Sequence, residues 1–320
     1  MYSIGLTPDS AQPASSGLLH PGISSLEPEY EDPLAQLADE SQQQPFTTNK
    51  SLQTALEQRQ EELLQDRTRS QYLVFTSVPP AQAARLSDDS SETSKFARFS
   101  FNADEGILIA RIVPNPEHQL AISRFSFLIA DELSAMNVFD EMEPVGSATF
   151  VLGNWLKEAD SSWGPAAANA KPTFVVEAGL PESARQLALD ACGWLKAQLS
   201  SVKVVLTISI KRDAPEIILR RWELVPPRHN LLTKPSAPSA RRTAILKFTR
   251  ANNETCITGE SYTDGEPHMD GTTTTTTQLV LPFDKIVGRP PRHPLERDLV
   301  IPENELREFA QRIWRKQGLL

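Results

Sequence analysis

The stretch PTFVVEAGL, residues 172–180, places an acid at the end of a short run that favours a buried β-strand. Residues 173–176 are β-branched or aromatic, which is typical of a strand packed inside a sheet. Glu177 follows them directly. An ionised carboxylate inside a protein needs a cation, a metal ion or several hydrogen bonds to offset its lost hydration. The rest of the sequence has to explain why an acid stands at the end of a core strand.

The segments around this strand predict a mixed α/β fold. Residues 115–136 and 181–199 carry apolar residues at helical spacing, and residues 147–156 read as a strand. Residues 202–210, VKVVLTISI, form the kind of β-branched run that is buried on both faces of a sheet. The resulting order of strands and helices predicts an α/β or α+β fold with a central mixed sheet flanked by helices.

The composition predicts one folded domain preceded by a loose segment. Residues 1–94 are expected to be largely disordered, apart from a polar helix at 48–67, because Pro, Ser, Gln and acids dominate the start of the chain. The folded domain is expected to span residues 95–320. Long loops are expected at 226–242 and at 259–276, where a low-complexity threonine run occurs.

Charge and cysteine content narrow the function classes. The net charge of -9 opposes nonspecific binding to nucleic acid. Cys192 and Cys256 show no paired spacing, so a disulfide framework is not expected and an intracellular location is favoured, with cytoplasm and nucleus not distinguished. We expect no membrane span, because no apolar run is long enough, and nothing in the sequence identifies a protein partner.

One region is locally basic despite the acidic average. Four residues flank a predicted hairpin: Lys211, Arg212, Arg220 and Arg221. Such a cluster is suited to contact a nucleic-acid backbone. A solvated hairpin end is an equally good interpretation.

Two acids are candidates for a metal site. Asp160 follows one predicted strand and Glu177 ends the next, so neighbouring strands would bring the carboxylates together. Mg²⁺ between them would relieve their repulsion, polarise a phosphodiester and activate water. In the alternative, Asp160 caps a turn and Glu177 is an edge-of-sheet acid paired with an arginine. The spacing alone favours this alternative.

Several segments of the chain together resemble the PD-(D/E)XK nucleases of the restriction-endonuclease-like superfamily. They are VPNPEHQLAISRFSFLIADEL at 113–133, EADSSWGP at 158–165 and PTFVVEAGLPES at 172–183. The C-terminal LPFDKIVGRPP and IPENELREFAQRIW also fit this likeness. The resemblance is strongest to the subfamily known as "putative restriction endonucleases", and Ala159 stands where that subfamily has a proline.

The resemblance implies a restriction-endonuclease-like core that hydrolyses DNA phosphodiesters with Mg²⁺ as cofactor. It implies Asp160 and Glu177 as metal ligands, with the carbonyl of Ala178 as a third ligand. His118 would open the first helix beside the site and contact phosphate or a metal-bound water. In the alternative interpretation, this first-turn histidine only satisfies nearby backbone or a helix neighbour.

The lysine that orients the attacking water in this family is not found at either expected position. Gly179 and Asp190 occupy these two positions, and Lys196, Arg185 and Lys157 are the candidate substitutes. Two functions therefore stand side by side: a Mg²⁺-dependent nuclease, and a catalytically inactive nuclease-fold protein that binds or scaffolds. A third interpretation is a structural protein recruited through its N-terminal segment.

Overall fold

The computed structural model describes residues 32–65, 69–86, 96–113, 116–226, 238–263 and 273–320. Within these residues the helices are α1 Pro33–Asp39, α2 Asn49–Gln65, α3 Pro80–Leu86, α4 Pro116–Ala135, α5 Ala184–Lys196, α6 Phe283–Val287 and α7 Glu303–Lys316. The first eight strands are β1 Gln42–Pro45, β2 Tyr72–Thr76, β3 Ala97–Asn102, β4 Ile107–Ile112, β5 Met142–Pro144, β6 Thr149–Leu152, β7 Trp155–Glu158 and β8 Ser161–Pro165. The other strands are β9 Phe174–Gly179, β10 Val204–Ile210, β11 Glu216–Val225, β12 Ser239–Ala251, β13 Glu254–Tyr262, β14 Thr273–Thr275, β15 Leu279–Leu281 and β16 Leu299–Ile301.

The strands form two large mixed sheets and a small ribbon. The first sheet has the order β1-β2-β4-β3-β7-β6, and only β1 and β2 pair in parallel. The second sheet has the order β14-β13-β12-β11-β10-β9-β8-β5, with β9 and β10 as its parallel pair. Strands β15 and β16 make the ribbon. The predicted mixed α/β fold is confirmed, although the strands divide between two large sheets instead of forming one central sheet.

The position of β9 follows from its sequence. All six of its residues are buried, as expected for a strand that lies between β8 and β10 and has helices over both faces. Helix α5 makes the crossover from β9 to the parallel strand β10. On the other face, α4 packs with the apolar side predicted from its spacing: Ile122, Phe125, Ile129 and Leu133 are all buried.

The folded part of the chain begins earlier than the sequence predicts. Residues 32–86, expected to be largely disordered, include β1 and β2, which belong to the first sheet. Helix α2 lies within the predicted 48–67 range. The other elements here are four to seven residues long, too short to show a clear apolar period, and their order comes from tertiary packing. Residues 1–31 and 87–95 lie outside the described residues.

The two expected loops are shorter than predicted. Strand β12 begins at Ser239, inside the expected loop 226–242, and β13 continues to Tyr262, inside the expected loop 259–276. These added residues are ordered because β12 pairs with β11 and β13 pairs with β12. Residues 227–237 and 264–272 of these two segments lie outside the described residues.

Helix α1 attaches the start of the described chain to α5. Asp32 caps α1 by accepting the backbone N–H of Leu34 at 2.9 Å, and its other carboxylate oxygen accepts the indole N–H of Trp155 at 3.0 Å. Leu34 is fully buried against Gly193, where an added Cβ would lie 2.6 Å from the leucine side chain. A glycine in α5 therefore opens the notch that accepts Leu34.

No helix in the described part of the chain combines the length and hydropathy that a bilayer crossing requires.

The α1 contact gives a prediction for stability. Leu34→Ala should lower the free energy of unfolding by about 2–4 kcal/mol, because it leaves a cavity at a fully buried site. Urea denaturation measures this change. Leu64→Ala, at a position that is 61% exposed, is the control and should change it by about 0.5 kcal/mol or less. Equal effects of the two substitutions would show that α1 is not docked.

Candidate functional site

The structure brings the predicted site residues together where the two sheets meet. Glu177 lies in β9 and is fully buried, while Asp160 lies in the short link between β7 and β8. His118 projects from the first turn of α4 and is 5% exposed. Together with Ala178, these residues form one cluster.

One oxygen of Asp160 collects three donors. Asp160 Oδ2 accepts the backbone N–H of Ala178 at 2.8 Å and lies 2.8 Å from Arg111 Nη2. His118 Nε2 lies 3.0 Å from the same oxygen, and 3.2 Å from the carbonyl oxygen of Ala178. His118 thus contacts both the acid and the backbone next to Glu177, rather than its own helix.

Arg111 lies between the acids. This residue comes from β4 of the first sheet, and its Nη2 donates to Glu177 Oε2 at 2.5 Å as well as pairing with Asp160. Its Nη1 donates to Asp190 Oδ2, in α5, at 3.2 Å. A single guanidinium therefore contacts three buried carboxylates and supplies the positive charge that two close acids require.

The three candidate substitutes for the missing lysine lie at different distances from the acids. Of the three candidate substitutes, only Lys157 reaches the cluster: its Nζ bonds Asp190 and lies 5.0 Å from the ring centroid of Trp194. Arg185 instead bonds Glu40 near the surface. Lys196 lines a separate cavity at the end of α5.

Trp194 completes the hydrogen bonding of Glu177. Its indole N–H donates to Glu177 Oε1 at 2.5 Å, on the side away from Arg111. The backbone N–H of Asp160 lies 3.4 Å from Glu177 Oε2. Each oxygen of Glu177 thus has a protein donor, and neither is open to solvent.

The cluster is closed. Lys157 is 1% exposed, and Arg111 and Asp190 are each 3% exposed. The cavity beside them has a volume of about 10 Å³ and is lined by Tyr72, Arg98, Ser100, Ile109, Arg111, Lys157, Glu158 and Asp190. That volume holds about one water molecule, so a phosphodiester has no access to the cluster in this conformation.

Burial and neighbouring charges lower the pKa of Asp160 and raise the pKa values of Glu177 and Glu158. Burial alone would raise the pKa of Asp160, but Arg111 and His118 hold it well below its usual range. Burial raises the pKa of Glu177 despite Arg111, and the neighbouring Asp160 and Asp190 add to the increase. Burial also raises the pKa of Glu158 to about 7, against the opposing charge of Arg98.

The donor set as arranged does not fit Mg²⁺, which requires about six oxygen ligands at near-octahedral positions. The carboxylate oxygens that face each other already accept hydrogen bonds from Arg111. Asp160 Oδ1 accepts no hydrogen bond, but it is one oxygen and it lies 3.5 Å from Arg98 Nε. No group of three or more His, Cys, Asp or Glu in the described ranges is arranged to hold a metal ion. The roles of Asp160, Glu177, Ala178 and His118 as ligands or catalysts stay predictions.

The four predicted basic residues do not form one exposed face. Arg220 and Arg221 are neighbours in β11 and point to opposite sides of the sheet, where Arg221 pairs with Glu223 at 2.7 Å. Arg212 bonds the carbonyl of Leu63 at the end of α2. The predicted nucleic-acid contact therefore has no continuous basic surface at these positions.

Arg111 is the residue that sequence reasoning missed. It lies within ILIARI, residues 107–112, an otherwise apolar strand that is buried at all but one position. A single arginine inside such a strand is a signal for a buried acid elsewhere, because an unpaired buried guanidinium is costly.

Glu158 provides a pH-dependent prediction. Folding raises the pKa of Glu158, so the folded protein favours the protonated side chain. The contribution of Glu158 to stability is therefore fully present below its unfolded pKa, near 4.5, and is lost as the pH rises through about 7. Glu158→Gln should therefore be more stable than the wild type at pH 8, by roughly 1–3 kcal/mol, with a smaller difference at pH 4.5. Urea denaturation at both pH values measures this. Glu254→Gln, at an exposed position, is the control. If Glu158→Gln changes the free energy of unfolding at pH 8 no more than Glu254→Gln does, the prediction is wrong.

Comparisons with known proteins identify no family for this chain. No protein-family model matches it, and no curated protein matches its sequence. Among solved structures, one similar chain is from Anabaena variabilis and is described as a "putative nuclease belonging to DUF820". The similarity has a TM-score of 0.29 and 13% sequence identity, and covers 45% of this chain and 75% of that one.

Proposed function

We propose that this chain is a nuclease-fold protein that acts by binding or scaffolding and not by metal-dependent hydrolysis. The observation that carries the proposal is the position of Arg111, whose guanidinium bonds Asp160 and Glu177 at 2.8 and 2.5 Å. The nuclease likeness itself rests on the sequence motifs and on the order α4, β8, β9, α5, β10 around these acids.

Hydrolysis by a metal-activated water has requirements that this arrangement lacks. The metal needs open coordination positions, and the phosphate must reach it. Here the facing oxygens are occupied by a guanidinium, which cannot activate water as a Lewis acid. Lys157, the one candidate lysine in the cluster, is bonded to Asp190 and closed off from solvent.

The competing function is a Mg²⁺-dependent endodeoxyribonuclease. The convergence of Asp160, Glu177, Ala178 and His118 favours it, since the family resemblance implies these positions. It requires Arg111 to leave the acids and the cluster to open before Mg²⁺ and DNA bind. The two functions therefore predict different responses to metal.

Recruitment through a detachable N-terminal segment is the weakest interpretation. Residues 32–86 contribute two strands and the buried side of α1 to the fold, so removing residues 1–95 would disrupt the first sheet.

A cleavage assay separates binding from hydrolysis. Purified protein, incubated with plasmid or single-stranded DNA and Mg²⁺ or Mn²⁺, should cleave no faster than Glu177→Gln, which keeps the shape of the side chain. Circular dichroism establishes that both proteins are folded. Metal-dependent cleavage by the wild type that disappears in both Glu177→Gln and Asp160→Asn would establish the nuclease and overturn the proposal.

A substitution at Arg111 tests whether its guanidinium occupies the place of a metal. Arg111→Ala should cost about 3–5 kcal/mol of stability, because it leaves buried acids without their cation. Mn²⁺ should then raise the melting temperature of Arg111→Ala and leave that of the wild type unchanged. Calorimetric titration of the wild type with Mn²⁺ should give no binding heat; a saturable heat would contradict the proposal even if the variant does not fold.

A further inference from the structure

A second buried cation lies on the same face of the second sheet as Glu177. Glu177 in β9 is opposite Thr207 in β10, and Thr207 is opposite Arg220 in β11. Two strand spacings, about 10 Å, therefore separate the backbone of Arg220 from that of Glu177. Arg220 is 8% exposed, and its Nη1 donates to Ser209 Oγ at 3.1 Å.

Arg220 has no carboxylate partner. The bond to Ser209 is the one hydrogen bond that its guanidinium makes in the part of the chain that the structure describes, and no carboxylate oxygen there lies within 4 Å of it. Glu216, on the same strand, is instead paired with Lys247 at 2.6 Å. A guanidinium has five N–H donors, so most of its donor capacity remains available.

A second arginine adds positive charge to the same place. Arg242 in β12 is opposite Trp222, two residues from Arg220 along β11, and its guanidinium lies 6.0 Å from the ring centroid of Tyr262. Burial, and then the charge of Arg242, lower the pKa of Arg220 to about 10, against a smaller opposing effect of the Glu216 charge. The fold thus holds two cations near each other at a site where burial already opposes charge.

We propose that Arg220 and Ser209 form a binding site for a phosphate oxyanion, with Arg242 adding to the attraction. The planar guanidinium can donate parallel N–H bonds to two phosphate oxygens, while the Ser209 hydroxyl donates to a third. A bound oxyanion supplies the negative charge that Arg220 lacks. This proposal is independent of the proposed function, because it uses none of the contacts of Arg111.

Inorganic phosphate is the probe for this site. The melting temperature of the full chain should rise saturably with sodium phosphate, compared with sodium chloride at equal ionic strength and pH. Arg220→Met, which removes the charge and keeps much of the volume, should abolish this rise. Arg250→Met is the matched control, because Arg250 lies on the neighbouring strand β12 near the turn and contacts Asn253; it should respond like the wild type.

Two further measurements separate a binding site from a structural arginine. In chloride, Arg220→Met should be at least as stable as the wild type, since the lost charge was buried without a directly paired carboxylate. Ser209→Ala should weaken phosphate binding about threefold to tenfold, the contribution of one hydrogen bond. The proposal is overturned if phosphate does not stabilise the wild type beyond chloride, or if Arg220→Met keeps the phosphate response.

Competition by oligonucleotides identifies the source of the phosphate group. If a 5′-phosphorylated oligonucleotide displaces inorganic phosphate and the unphosphorylated oligonucleotide does not, the site recognises the phosphate at a strand end. Equal displacement by the unphosphorylated oligonucleotide would support recognition of a backbone phosphodiester. No displacement by either would support a small free oxyanion as the ligand.

Discussion

A guanidinium buried between two carboxylates joins the two sheets of this protein. Arg111 comes from the first sheet and Glu177 from the second, and Asp160 lies in the link through which the chain passes from one sheet to the other. Shifting the sheets against each other while they stay packed would leave buried charges of both signs without their partners. The ion pairs therefore specify how the sheets meet, in addition to the apolar contacts around them.

A guanidinium and a divalent metal can both supply the positive charge that two close carboxylates require, but they differ in what else they can do. Either one relieves the repulsion between close acids, but a metal also offers exchangeable ligand positions through which water and phosphate are activated. Arg111 is covalently fixed and planar, and its two terminal nitrogens are engaged with Asp160, Glu177 and Asp190. In the proposed function, an arginine at the place of a metal keeps the acids paired and leaves out the exchangeable ligand positions that chemistry requires.

The elements closest to the acids were the most predictable from the sequence. Strands β9 and β10 and helices α4 and α5 have strong apolar patterns, and the adjacency of two strands was enough to place Asp160 beside Glu177. The pairing of Glu177 with an arginine was among the alternatives, although β9 lies inside the sheet and not at its edge. The identity of that arginine was not predictable, because Arg111 is 66 residues away and belongs to the other sheet. The early start of the fold was missed for a similar reason: α1 and β1 are ordered by distant partners in α5 and β2.

The hydrogen bonding of Asp160 bears on how such a protein evolves. One of its oxygens holds Arg111, His118 and the backbone of β9 at once, so replacing the acid would release three donors into the interior. Selection for a folded chain is then sufficient to retain Asp160, and by the same logic Glu177, with no contribution from catalysis. An acidic pair held in this way is therefore not by itself a sign of catalysis, and an internal cation such as Arg111 is the feature to look for beside it.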